Sequence, residues 1–486
     1  MSDSESAASS ESEVGSAPEI VALSTAFTGL DKEDFYHGLL PEEDALRLLQ
    51  RNGDFLVRVG DAGDGSGRQV WISVRWTDQG FSFPVLVSPK GCTIDGSHFA
   101  EYAGDLIRLH RSQCVPVAAQ GVLPLNAVLR QEWEIRHDQI TLTQKLGEGA
   151  FGEKLRVAIK LSKGEVNKEQ IEEMMREARL MRLYKHPNIV RFYGVAAEKD
   201  PVMIIMEFVG GGALDSYLKK GIGSITPKQK AGMCYDVACG LAYLHEHGCI
   251  HRDIAARNCL VSTKNHRVKL SDFGLSTKNK KHVIDRNEKA PIRWLAPEVI
   301  STLLYEQPAD IWSYGVLSWE IFADGEIPYK EFSTADLRKR IHEPDFRLVM
   351  RADTPQDVAQ IVATCWTANP QSRSPMCAIA AGLRKYSPEE TEKAKLKKKE
   401  KKEKKAVVQP MTRKKSSKPK SLKAKKKTTK DARESRLRRD SGSRSPSSRR
   451  KTKHKKRSPT PSKDGNTTST SSYTSRSGKP RKSRMG

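Results

Sequence analysis

The chain has 486 residues and a formal net charge of +25, from 84 Lys and Arg against 59 Asp and Glu. No apolar run approaches the roughly 18 residues of a membrane-spanning helix, and no secretory signal is recognisable, so a spanning or secreted protein is not expected. Eight cysteines without paired, metal-like spacing fit a reduced compartment rather than a zinc or disulfide framework.

Residues 1–34 are rich in Ser and acidic groups and are expected to form an unstructured leader. Phe35-Tyr36-His37-Gly38-Leu39-Leu40-Pro41 then leads into Asp44 to Leu49, where apolar residues recur at helical spacing. Gly53-Asp54-Phe55-Leu56-Val57-Arg58 reads as a strand, and Val70 to Trp76 alternates as a half-buried strand does. Leu106-Ile107 fits a second helix. This run of residues resembles an SH2 domain, which implies a central antiparallel sheet between two helices. The resemblance makes Arg58 the phosphotyrosine-binding residue, gripping phosphate with its planar fork. Two positions depart from the pattern: Glu42 stands where Arg is common, and Ser82 where His is common. Glu42 should weaken capture of a phosphate carrying about −1.5 to −2 charges. The plainer alternative is an SH2 scaffold that only braces the second half of the chain.

That second half carries the chemistry. Gly147-Glu148-Gly149-Ala150-Phe151-Gly152 is a glycine-rich loop, and Val157-Ala158-Ile159-Lys160 is a strand ending in a lysine. Arg176 to Met181 has helical character and holds Glu177, and Met203-Ile204-Ile205-Met206 is a buried-strand pattern running into Glu207-Phe208-Val209. His251-Arg252-Asp253-Ile254-Ala255-Ala256-Arg257-Asn258 is followed by Asp272-Phe273-Gly274, and Ala296-Pro297-Glu298 lies further on. The strings and their order resemble protein kinases. The resemblance implies Asp253 as the base for a hydroxyl nucleophile, supported by Arg257, with Asn258 and Asp272 as ligands of Mg2+ or Mn2+. It gives Lys160 the ATP phosphates and Glu177 the orientation of Lys160. Leu146, Gly147, Gly149, Gly152, Ala158, Lys160, Met206 as gatekeeper, Glu207 and Val209 would line the nucleotide site. Glu298 would pair with Arg373, and Asp310 would hold the catalytic-loop backbone.

Ala255 stands where serine/threonine kinases usually carry Lys, and Arg257 comes four residues after Asp253, as in tyrosine kinases. Pro291 to Glu298 likewise resembles the platform that seats a tyrosine. The whole arrangement, over about residues 35 to 385, resembles cytoplasmic tyrosine kinases of the Fes/Fer branch, as a short member without the coiled-coil region that precedes the SH2 domain there.

Two features test that reading. Only Glu153 to Ile159 separate Gly152 from Lys160. A returning strand, a turn and the next strand need roughly eleven residues, so the roof over ATP is expected to be cropped. Between Asp272 and Glu298 there is no tyrosine. The usual phosphotyrosine switch is therefore absent, and activation is expected to depend on binding or localisation.

From 387 to 486 there are 37 Lys and Arg against 9 Asp and Glu, which accounts for all of the excess positive charge. Such a segment buries too little apolar surface to offset chain entropy and is expected to be disordered. Its basic runs would attract membrane lipid, nucleic acid or acidic protein.

The expected class is thus α+β, with five parts: a leader at 1–34, an SH2 domain at 35–125, a linker at 126–137, a bilobal kinase at 138–385 and a basic tail at 386–486. The expected function is transfer of the γ-phosphate of ATP to protein tyrosines, using Mg2+ or Mn2+, with phosphotyrosine proteins as partners and the cytoplasm as the location. The tail offers a further address at the inner membrane surface or in the nucleus. The alternative is a catalytically weak SH2–pseudokinase scaffold. A nucleic-acid-binding protein rests on charge alone.

Overall fold

The computed structural model describes residues 26–63, 67–141, 155–162, 167–285, 288 and 290–407, with side chains described as far as 397. The first module opens with α1 (Glu42–Leu48), ahead of β1 (Asp54–Asp61), β2 (Arg68–Trp76) and β3 (Gln79–Pro84). A short hairpin of β4 (Leu86–Ser88) and β5 (Gly91–Thr93), then α2 (Ala103–Ser112) and β6 (Asn126–Ala127), complete it. The sheet order is β3-β2-β1-β6, antiparallel except where β6 runs parallel to β1.

Side chains alternate across a strand, so a β1 buried without interruption from Asp54 to Val59 must be covered on both faces. Arg58 faces Glu42 of α1, while Phe55 lies under Arg111 of α2. One helix therefore closes each face. Full burial of Phe55, Leu56 and Val57 is worth about 1.5–3 kcal/mol each.

The second module begins with a three-stranded antiparallel sheet, order β7-β9-β8, from β7 (Val157–Leu161), β8 (Phe192–Ala196) and β9 (Met203–Glu207). Between β7 and β8 comes α3 (Lys168–Leu183), started by a capping box in which Asn167 and Gln170 exchange side-chain and backbone bonds. It buries Met175, Ala178 and Met181 at helical spacing and packs on β8.

The lower lobe is mostly helical. It contains α4 (Leu214–Lys220), α5 (Pro227–Glu246), the β10 (Cys259–Val261) and β11 (Val268–Leu270) pair, and β12 (Lys281–Val283). Next come α6 (Pro297–Thr302), β13 (Leu304–Glu306), α7 (Gln307–Phe322), α8 (Thr334–Arg340), α9 (Gln356–Cys365) and α10 (Met376–Leu383). Buried nearly all round, α7 is the lobe's axis, with α5 and α9 packed against it. No helix among the described residues is long and apolar enough to cross a membrane.

Three boundaries differ from expectation. Ala26 and Leu30, placed in the leader, are buried in the first module's core, because the apolar residues there give the sheet's flank something to pack on. Residues 126–137 are not a free linker. Asn126–Ala127 join the first sheet as β6, and Val195 of the second exchanges backbone bonds with Trp133 and Ile135 at 2.8 and 2.9 Å. Strand edges need partners, and this segment supplies them to both sheets. Finally, α11 (Pro388–Val407) extends into the part expected to be disordered. Its Lys and Glu residues are strong helix formers, Ser387 caps its first turn, and Glu390–Lys393 and Glu392–Lys395 pair along its surface.

The two modules meet through backbone as well as side chains. Leu39 N donates to Ala197 O at 2.7 Å. Gly38, at φ +68°, passes so close that a Cβ would lie 2.3 Å from Ala197 O, which only glycine allows. Arg179 of α3 pairs with Asp44 and Glu43 of α1 at 2.8 and 3.1 Å, and Arg68 with Asp200.

Candidate active site

The site lies where β7, α3, the loop before β10 and the segment after β11 converge. Lys160, near the end of β7, donates to both carboxylate oxygens of Glu177 at 2.9 and 2.7 Å, and lies 3.4 Å from Asp272 Oδ1. Burial alone would lower the lysine's pKa, but the charges of Glu177 and Asp272 outweigh it and hold the pKa above its ordinary value. The ammonium is therefore firmly charged, and it stands between two carboxylates drawn from separate elements.

Asp253 sits in the loop 251–258 with its carboxylate bonded to Arg257. Asn258 donates its amide nitrogen to Asp253 O at 2.9 Å, which leaves the amide oxygen as an open acceptor. Arg257 also lies over the Trp294 ring at 4.3 Å, tying the loop to the Pro291–Glu298 stretch. Two non-glycine residues here, Arg252 and Asp272, have φ of +70° and +62°. Such backbone costs about 1–3 kcal/mol per residue and persists only where surroundings fix it.

Those surroundings are polar and buried. Asp310 of α7, with no exposed surface, accepts from His251 N at 2.8 Å, Arg252 N at 2.9 Å, Tyr305 Oη at 2.9 Å and His245 Nε2 at 3.1 Å. Burial would raise its pKa, yet the bonds and charge from His245 and His251 bring it below the usual carboxylate range. Glu320, also on α7, takes Ala256 N at 3.0 Å and Trp294 Nε1 at 2.9 Å on one oxygen. Its burial pushes its pKa up to about 7. The rings of Tyr184, Phe273 and His251 succeed one another at centroid spacings of 6.0 and 5.2 Å, linking the end of α3 to the loop.

Of the residues expected to touch nucleotide, Ala158 stands opposite Met206 in the β7–β9 register. Glu207 is held by Lys269 at 2.9 Å, and Val209 is buried just beyond. Leu146, Gly147, Gly149 and Gly152 lie outside the described residues. Glu298 and Arg373 form a two-pronged pair at 2.6 and 2.8 Å. Asp272 and Asn258 offer hard oxygen donors, and the Asp272 side chain is half exposed, so the donor set suits a hard divalent cation that keeps further oxygen ligands.

A second polar centre lies in the first module. Arg58 is buried and donates to Ser73 Oγ at 3.1 Å and Ser82 Oγ at 3.3 Å, with Trp71 alongside and Glu42 at 3.8 Å. A cavity of about 1130 Å3 opens over it, walled on the far side by Asn167, Glu169 and Glu172 at the start of α3.

Sequence reasoning missed Tyr305, Glu320 and the Arg179–Asp44 pair. Tyr305 and Glu320 sit in no recognisable string, and Asp44 and Arg179 fall in stretches readable only for their helical spacing; each matters through contacts that exist only after folding.

The bilobal fold and this constellation define a protein kinase, and the family model for protein tyrosine and serine/threonine kinases matches residues 140–383. Fer-related kinase 1 of Caenorhabditis elegans is 40% identical over 369 residues, covering 73% of this chain and 93% of that protein. The tyrosine-protein kinase transforming protein Fps of avian sarcoma virus (strain PRCII) is 34% identical, covering 72% of this chain and 67% of that protein. Human tyrosine-protein kinase Fer is 32% identical, with 75% and 45% covered. The chain belongs to the Fes/Fer branch of the protein tyrosine kinases.

Proposed function

We propose that this chain transfers the γ-phosphate of ATP to tyrosines of proteins brought to it through phosphotyrosine held at Arg58. The transfer reading is carried by one observation: Asp253, Arg257, Asn258, Lys160, Glu177 and Asp272 converge from separate stretches of chain. In that reading the substrate tyrosine gives its proton to Asp253, whose carboxylate Arg257 keeps in position. The phenolic oxygen forms a bond to the γ-phosphorus while the bond from that phosphorus to the β–γ bridging oxygen breaks, leaving ADP with the electron pair. Lys160, steadied by Glu177, meets the phosphate charge. Asn258 and Asp272 would hold Mg2+ or Mn2+, which supplies neutralisation of phosphate charge when bound.

Arg257 against Trp294 supports a tyrosine acceptor, since it joins the base to the stretch read as the phenol's platform. The SH2 reading is supported by a buried arginine at the floor of a cavity, with two serine hydroxyls on it and a helix on each face of the sheet. We read the location as cytoplasmic, with the basic charge after 387 suited to an anionic surface.

The test is phosphate transfer by the purified full chain, with magnesium ATP and a poly-Glu/Tyr acceptor. Wild type should transfer phosphate and Asp253→Asn should not. Equal signals from the two would hand the case to the scaffold alternative, which the comparisons do not support. Capture of a phosphotyrosine peptide should be lost in Arg58→Leu; unchanged affinity would reduce the first module to a brace.

A further inference from the structure

With no tyrosine between Asp272 and Glu298, the segment after Asp272-Phe273-Gly274 lacks the side chain whose phosphate would meet an arginine of the catalytic loop. Of its hydroxyls, Ser276 is buried and its Oγ donates to His251 O at 3.1 Å, so it is closed to modification. Thr277 lies in a backbone pairing with Ile250 and accepts from Asn279 N at 3.1 Å.

Yet the arginine beside the base is not left without an anion. Arg252 is 6% exposed, and a guanidinium so buried needs a partner. Nη1 donates to Leu275 O at 2.9 Å, and Nη2 donates to Glu288 Oε1 at 2.5 Å. The other oxygen of Glu288 lies 3.5 Å from His282 Nε2 on β12. His282 stands opposite Tyr305 in the β12–β13 register, and Tyr305 in turn donates to Asp310, which holds Arg252 N. The contacts close a ring through Arg252, Glu288, β12, Tyr305 and Asp310. Burial would raise the Glu288 pKa, but the bonds and charges of Arg252 and His282 outweigh it and bring it below the usual range.

We propose that Glu288 is a positioning residue standing in for an activation phosphate. Its fixed carboxylate ties the segment to Arg252, so the loop bearing Asp253 is set without phosphorylation of the segment. Control of this enzyme then falls to what it binds. The proposal rests on the kinase reading, and its test separates the two.

Full-length protein treated with a general protein phosphatase should keep its transfer rate. Glu288→Gln, equal in shape but uncharged, should lower kcat about tenfold while KM for ATP stays within about twofold, as expected when a poised state loses population rather than contacts. Glu288→Asp should recover part of the loss. In parallel, trypsin cleavage after Lys278, Lys280 and Lys281, run well below the melting temperature of either protein, should quicken in Glu288→Gln. That digest needs no catalysis. If wild type transfers no phosphate while the digest still distinguishes the variants, the kinase reading fails and the tie to Arg252 stands. Loss of wild-type activity on phosphatase treatment, or a Glu288→Gln protein matching wild type in both kcat and digestion, would overturn the proposal.

Discussion

Asp310→Asn is the sharpest probe of how the catalytic loop is held. Each oxygen of the carboxylate accepts two bonds, one pair from Arg252 N and Tyr305 Oη, the other from His251 N and His245 Nε2. An amide keeps one oxygen and replaces the other with a donor, so whichever way it turns one backbone N–H, of Arg252 or of His251, faces a donor, and Tyr305 or His245 must reverse its role to stay bonded. Bonds to a charged acceptor contribute about 1.5–3 kcal/mol each, and breaking a buried charge arrangement costs about 3–5 kcal/mol. A loss of about 3–5 kcal/mol lowers the melting temperature by about 6–20 °C in a domain of this size. Scanning calorimetry of the full chain reads the first effect. Steady-state kinetics should show kcat falling more than KM, because Arg252 at φ +70° relaxes once its N–H is released. The folded pKa of Asp310 lies below its ordinary 3.8, so its contribution is present at neutral pH and is lost as pH falls through the folded value. The gap between wild type and variant should narrow only in strong acid. A variant melting within about 2 °C of wild type at neutral pH would refute the reasoning.

Lys160→Met should leave the fold intact, since the side chain is part exposed, and cut kcat by about a hundredfold or more, measured with the same acceptor. Glu320 titrates near 7 when folded against an ordinary 4.5, so it binds its proton more tightly in the native state. Wild-type stability should therefore decline between those values as pH rises, and Glu320→Gln, which keeps an oxygen for Ala256 N and Trp294 Nε1, should flatten the decline in urea midpoints. Glu42 is more than half exposed and well screened, so Glu42→Gln should tighten phosphotyrosine-peptide binding only about two- to fivefold, read by fluorescence polarisation.

The catalytic loop was legible because its chemistry is written in contiguous strings. Asp253, Arg257 and Asn258 need one another at fixed short spacing, and that spacing survives in sequence. The Glu298–Arg373 pair, 75 residues apart, was readable only because each member sits in its own recognisable string. Arg58 stood out only through the resemblance of its whole stretch to an SH2 domain, since a lone Phe-Leu-Val-Arg is a weak signal. Asp44 read as an ordinary polar helix residue, since nothing local announces that Arg179 arrives from α3. Nothing local singles out Glu320, because its partners Ala256 and Trp294 lie on other elements. Pro388–Val407 differs from expectation for another reason: composition reports that no core can form, yet a single helix satisfies its own backbone through local bonds.

The pairing of Trp133 and Ile135 with Val195 bears on how this enzyme is divided for study. A fragment cut to begin at residue 138 keeps every catalytic side chain but strips the outer rung from the upper sheet, leaving Val195 N–H and C=O bare beside Gly194. A naked rung recruits whatever extended chain is nearest, most often another copy of the fragment. Starting eight residues earlier keeps the rung in place, and the solubility of the two fragments becomes a direct readout of what that short segment does.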